Sequence, residues 1–91
     1  MLIYLYKQHK MNNKEYRTSL NDLRDGQTGI IISIIGSRMI TKRLADLGLT
    51  PGTEIKVLGR ALFSGPVQIE VCGSRLVLGR GLASKISVES E

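Results

Sequence analysis

The sequence predicts a small, mainly β fold: a barrel of five short, mostly antiparallel strands with one helix inserted after the first strand. Three observations predict it. Residues 30–35 hold five isoleucines in six positions between Gly29 and Gly36, a density of β-branched side chains that disfavours a helix and suits a strand. Residues 37–48 then switch to helical spacing, with Ile40, Leu44 and Leu47 at i, i+4 and i+7. From residue 54 onward apolar and polar residues alternate with a period of two, and glycine stands at the reversals. Short antiparallel strands of this kind leave the fewest unpaired edges when they close on themselves.

The elements follow in order. Residues 1–18 read as an N-terminal extension and residues 19–91 as the domain. Within the extension, Leu2-Ile3-Tyr4-Leu5-Tyr6 is β-prone, but no basic residue precedes it and Lys7 ends it, so it reads as a segment that is not cleaved. Met11 is an alternative start. Ser19 is placed to cap a short helical turn through Leu20–Arg24, which Asp25-Gly26 terminates. The isoleucine run reads as a strand buried on both faces.

Ser37 opens a helix of about three turns, with Arg38, Lys42, Arg43 and Asp46 on its polar side. Gly48 supplies the left-handed residue that closes it, and Leu49 folds back on the last turn. Pro51-Gly52 makes the tight turn that follows. Ile55 and Val57 then alternate with Glu54 and Lys56, and Val67, Ile69 and Val71 alternate with Gln68, Glu70 and Cys72. That phase makes Cys72 a small buried hydrophobe in a strand. Gly73-Ser74 is the hairpin signal before Leu76–Leu78. Residues 79–84 read as a turn, and Ile86 and Val88 belong to the last strand.

Composition narrows the function. The chain has 91 residues, 42% of them apolar and 23% charged, which fits one folded domain. One cysteine and one histidine, Cys72 and His9, exclude a disulfide framework, a nucleophile triad and a zinc site within one copy. Asp22 and Asp25 flank a turn and suit capping rather than acid–base work. The net charge is +5, but Lys7, Lys10, Lys14 and Arg17 against Glu15 supply most of it before residue 18. Beyond there the charges alternate in sign, as on a solvated surface. Phe63 is the one aromatic outside the extension, which leaves no stacking platform for single-stranded nucleic acid. No apolar run approaches the ~20 residues of a membrane helix. The residues therefore point to a cytosolic, non-enzymatic binding module without metal or cofactor.

Particular stretches then carry a resemblance. Gly26-Gln27-Thr28-Gly29-Ile30-Ile31, the run from Arg43-Leu44-Ala45-Asp46-Leu47-Gly48-Leu49 through Thr50-Pro51-Gly52-Thr53-Glu54-Ile55, Gly65-Pro66-Val67-Gln68-Ile69, Leu76-Val77-Leu78 and Ala83-Ser84-Lys85-Ile86 closely resemble the FeoA family. The likeness covers residues 19–89, and Arg-Leu-x-x-Leu-Gly-Leu-x-Pro-Gly-Thr is its most specific part. Residues 1–18 are extra to the family pattern. The resemblance implies an SH3-like barrel and a cytoplasmic bacterial accessory protein of ferrous iron uptake. It implies docking to the cytoplasmic GTPase-containing region of the FeoB membrane transporter, so that membrane association runs through the partner.

Lys42, Arg43, Leu49 and Thr50, at the end of the helix and just past it, are the candidate docking residues, with Phe63 as a possible aromatic anchor. Leu44 and Leu47 are read as core, and Gly48, Pro51 and Gly52 as geometric. A weak homo-oligomer stays open. Two alternatives also stand. One is a small RNA-binding barrel, since residues 26–35 distantly resemble a motif of ribosomal barrel proteins. The other is a free-standing relative of the C-terminal domain of metal-dependent repressors.

Overall fold

The computed structural model describes residues 17–60 and 65–91. In chain order these form β1 (Arg17–Ser19), a 3-10 turn (Leu20–Asp22), β2 (Thr28–Ile34), α1 (Arg38–Asp46), β3 (Glu54–Arg60), β4 (Val67–Val71), β5 (Ser74–Leu78), α2 (Arg80–Ala83) and β6 (Ile86–Ser90). The strands make one antiparallel sheet in the order β1-β6-β2-β3-β4-β5. The mainly β architecture, the helix after the isoleucine strand and the later run of short strands agree with the sequence reading.

The strand count rises from five to six because Arg17, Thr18 and Ser19 pair with Glu89, Val88 and Ser87. Arg17 and Thr18, placed with the extension by the sequence, thus enter the sheet, and α1 follows the second strand. β1 and β5 are the edges of the sheet, with no ladder joining them among the described residues. Residues read as a turn at 79–84 form the single helical turn α2.

Two irregularities decide which side chains reach the core. β2 slips its register against β6 between Ile31 and Ser33, so Ile32 is an extra residue and the inward phase moves from Ile31 to Ile34. β3 slips against β4 between Val57 and Gly59. The expectation that the isoleucine strand is buried on both faces is therefore corrected. Ile31 is buried, Ile30, Ile32 and Ile34 are half-buried, and Ile35 is 70% exposed. An antiparallel sheet wrapped about one core turns its other face outward.

The core collects Leu20 and Leu23 beside the 3-10 turn, Leu44 and Leu49 from the helix region, and inward residues of β2–β6. Ser19 caps the 3-10 turn as expected, its hydroxyl accepting from the Asn21 N–H at 3.1 Å. Arg60 clamps that turn to β3: its guanidinium donates to the carbonyl oxygens of Asn21, at 2.6 Å, and of Leu23, and lies 3.7 Å from the Asp25 carboxylate.

Cys72 also departs from its expected place. The two-residue loop is Cys72-Gly73, with Val71 and Ser74 facing each other across it, one residue earlier than Gly73-Ser74. Both loop residues have positive φ, 52° and 79°, the left-handed pair that continues the twist of a two-residue hairpin. Cys72 is exposed as a consequence.

Candidate functional site

α1 begins and ends as its sequence dictates. The Ser37 hydroxyl accepts from the Ile40 N–H at 3.3 Å, an N-cap that satisfies one of the open donors of the first turn. At the other end Gly48, at φ +91°, donates to the Ala45 carbonyl at 2.9 Å, and Leu49 donates to the Leu44 carbonyl at 2.9 Å. These two bonds are a Schellman closure. The Gly52 N–H then donates to the Ile31 carbonyl at 2.7 Å, which fixes the Pro51-Gly52 turn against β2.

This closure reassigns the two leucines. Leu49 is fully buried, as its expected fold-back on the last turn requires, which removes it from the docking candidates, whereas Leu47, expected in the core, is 47% exposed. Leu47 is the C-cap residue, where the chain leaves the helical path. The left-handed step at Gly48 then swings Leu49 under the helix beside Leu44. Leu44 is buried as expected.

Leu47 instead lines a groove of about 320 Å³ with Ile40, Arg43, Leu44, Asp46 and Leu82. α1 forms one side and α2 contributes Leu82. The two helices are held at the same end of the fold, because the Ile35 N–H donates to the Lys85 carbonyl at 2.8 Å. The amide of Asn21 donates to the Arg80 carbonyl at 3.0 Å, anchoring the start of α2 to the 3-10 turn. Around the groove Met39 is 71% exposed and Leu82 37% exposed. A larger hollow of about 510 Å³ beside the 3-10 turn is lined by Thr18, Asp22, Arg24, Gln27 and their neighbours, and lacks such apolar walls.

Of the sequence-derived docking candidates, the structure brings Arg43 to the groove. Lys42 is exposed on α1 but does not line it. Thr50 is exposed, and its hydroxyl shares a 3.0 Å hydrogen bond with that of Thr53. Phe63 lies outside the described residues. Sequence reasoning missed Leu82, since two glycines in Gly79-Arg80-Gly81 speak against a helix there. It missed the exposure of Leu47 because periodicity places that residue on the same stripe as Leu44. Among the described residues no three His, Cys, Asp or Glu side chains stand together as a metal site, and no helix is long and apolar enough to cross a membrane.

Comparison with known proteins agrees with this architecture. A family model described as the FeoA domain matches residues 18–90. A Methanocaldococcus jannaschii protein provisionally named Fe(2+) transport protein A is 36% identical over 66 residues, covering 72% of this chain and 78% of the relative. The crystal structure of an iron uptake regulatory protein, FeoA, superposes with a TM-score of 0.75 at 35% identity, covering 82% of this chain and 97% of the other. That agreement bears out the SH3-like fold. A manganese-dependent transcriptional repressor also superposes, with a TM-score of 0.75 at 26% identity, but the match spans 42% of the repressor. The family-model match over residues 18–90 and the 36% identical relative establish that this chain belongs to the FeoA family.

Proposed function

We propose that this chain is a non-enzymatic accessory protein of ferrous iron uptake that acts in the cytoplasm. It docks to the GTPase-containing cytoplasmic region of a FeoB-like membrane transporter and biases that transporter's assembly or activity by contact. The observation that carries the reading is the α1–α2 groove, where Leu47 and Leu82 stay partly exposed beside Arg43. Family membership and the iron-transport names of its relatives support the setting. The likeness to a repressor covers under half of that protein, whereas the free-standing FeoA structure is matched over almost its whole length, which favours the accessory role.

Rigid capping and the Pro51-Gly52 turn hold the groove wall before docking, so little ordering entropy is lost on contact. Titration against the purified cytoplasmic region of the transporter tests the proposal. Wild-type protein binds, and Arg43→Glu weakens binding by more than tenfold, about 1.4 kcal/mol. Circular dichroism and thermal stability of that variant stay near wild type, because Arg43 is exposed. No binding by the wild type, or equal binding by a folded Arg43→Glu protein, rejects the groove as the docking site.

A further inference from the structure

Charge that alternates along the sequence is sorted in space. The helix-bearing end carries Arg38, Lys42 and Arg43 on α1, Arg80 on α2 and Lys85 just after it, against Asp46 as the acid of those elements. In the remaining described residues the acids outnumber the bases by one. The groove lies within the positive end. Its floor is Ile40 and Leu44, its upper walls are Leu47 and Leu82, and Arg43 and Asp46 supply its polar margin. No ion pair within 4.0 Å is formed by Arg43 among the described residues.

From this juxtaposition we propose that the groove receives an acidic amphipathic segment of a partner protein. Apolar side chains of the segment seat between α1 and α2, and its carboxylates face Arg43 and the neighbouring cations. The proposal rests on the docking reading above and adds the chemistry of the docked element. Concavity selects a protein segment over a lipid surface: side chains fill a groove of this size, which sits at the small end of the ~300–1,000 Å³ typical of binding clefts. Charge complementarity selects the sign, because a basic segment meets like charge around the groove. Apolar anchors at i, i+3 or i+4 are the spacing by which a helical segment fills a groove.

The test uses the full chain and three synthetic 14-residue peptides. One carries Leu at i, i+4, i+7 and i+11 with Glu at most other positions. The second replaces each Glu by Lys, and the third replaces each Leu by Ala. Binding is followed by fluorescence anisotropy and by amide shifts in heteronuclear NMR. The Leu/Glu peptide binds at least tenfold more tightly than either control, and its affinity falls as salt is raised. Shifts concentrate at Ile40, Arg43, Leu47 and Leu82. Leu47→Asp removes this binding while circular dichroism stays native, and Arg43→Glu with Lys42→Glu reverses the preference between the Glu and Lys peptides.

Equal binding of the Glu and Lys peptides overturns the proposal, as does binding that leaves the groove amides unmoved. Groove-dependent binding to phosphatidylglycerol vesicles without binding to the Leu/Glu peptide also overturns it, in favour of a membrane surface. The two readings fail separately. If the transporter region binds with full affinity to Leu47→Asp, the groove chemistry is wrong and docking stands elsewhere. If the Leu/Glu peptide binds as described and the transporter region does not, the groove chemistry holds and the named partner falls.

Discussion

Leu44 and Leu47 sit three residues apart on one helix and have opposite fates. Leu44 is 2% exposed in the core and Leu47 is 47% exposed on the groove wall. Leu44→Ala leaves a cavity against β2–β6 side chains and is expected to cost ~2–5 kcal/mol. Leu47→Ala removes a side chain already half in water and is expected to cost under ~1 kcal/mol. Urea unfolding of the two variants decides the matter, and equal losses would return Leu47 to the core. The heptad-like spacing that groups these residues contains no information about where the helix stops. The stop is set by Gly48, and it transfers the core position to Leu49.

At the scale of the element, α1 depends on one left-handed residue. Gly48 at φ +91° meets nothing closer than the Cys72 sulfur at 3.9 Å when a Cβ is added. Backbone conformation rather than crowding therefore sets the cost of Gly48→Ala, about 1–2 kcal/mol. Gly59, in β3, has open space around a built Cβ and no positive φ. Gly59→Ala is expected to be neutral or to stabilise by roughly 0.4–1 kcal/mol, through the unfolded chain. Thermal melts of the pair separate the two mechanisms: a loss at Gly59→Ala contradicts the second, and no loss at Gly48→Ala contradicts the first. These glycines also show how far the elements were legible. Ser37, Gly48 and Pro51-Gly52 mark the helix and the turn because caps and tight turns are local chemistry. The bulge at Ile32 and the pairing of Arg17–Ser19 with β6 are tertiary events with no local signal, so the isoleucine run looked doubly buried and the sheet one strand short. The Cys72-Gly73 loop shifted by one residue for a related reason: the strand period continues through Cys72, and only the pairing of Val71 with Ser74 breaks it.

For the molecule as a whole, the site was half legible. Arg43 was legible as a candidate because it sits near the end of the helix, where the family motif begins. The groove needed Leu82 from α2 and the segregation of charge, and both exist only once residues far apart in sequence share one end of the fold. The other end has its own electrostatic consequence. Glu91 hydrogen-bonds Glu54 and repels its charge, and with slight desolvation this raises the Glu54 carboxyl above the ordinary glutamate range. The folded state then holds this proton more tightly than the unfolded chain. Stability contributed here is present below the ordinary glutamate pKa and is lost as pH rises through the raised value. Urea midpoints measured from about pH 4 to 7 are expected to show that decline superimposed on other titrations, and Glu54→Gln to remove it and to unfold at higher urea at pH 7. A profile unchanged by Glu54→Gln would show that the two carboxyls do not interact.

The exposed hairpin loop makes the protein its own reporter. Cys72 is the chain's sole thiol, it faces solvent, and its sulfur lies 3.9 Å from where a Cβ on Gly48 would stand. Gly48 directly follows Leu47 on the groove wall. A maleimide dye therefore attaches at one defined atom without any engineered cysteine, next to the helix cap yet outside the groove lining. Its emission would follow occupancy of the groove in real time, on the unaltered sequence.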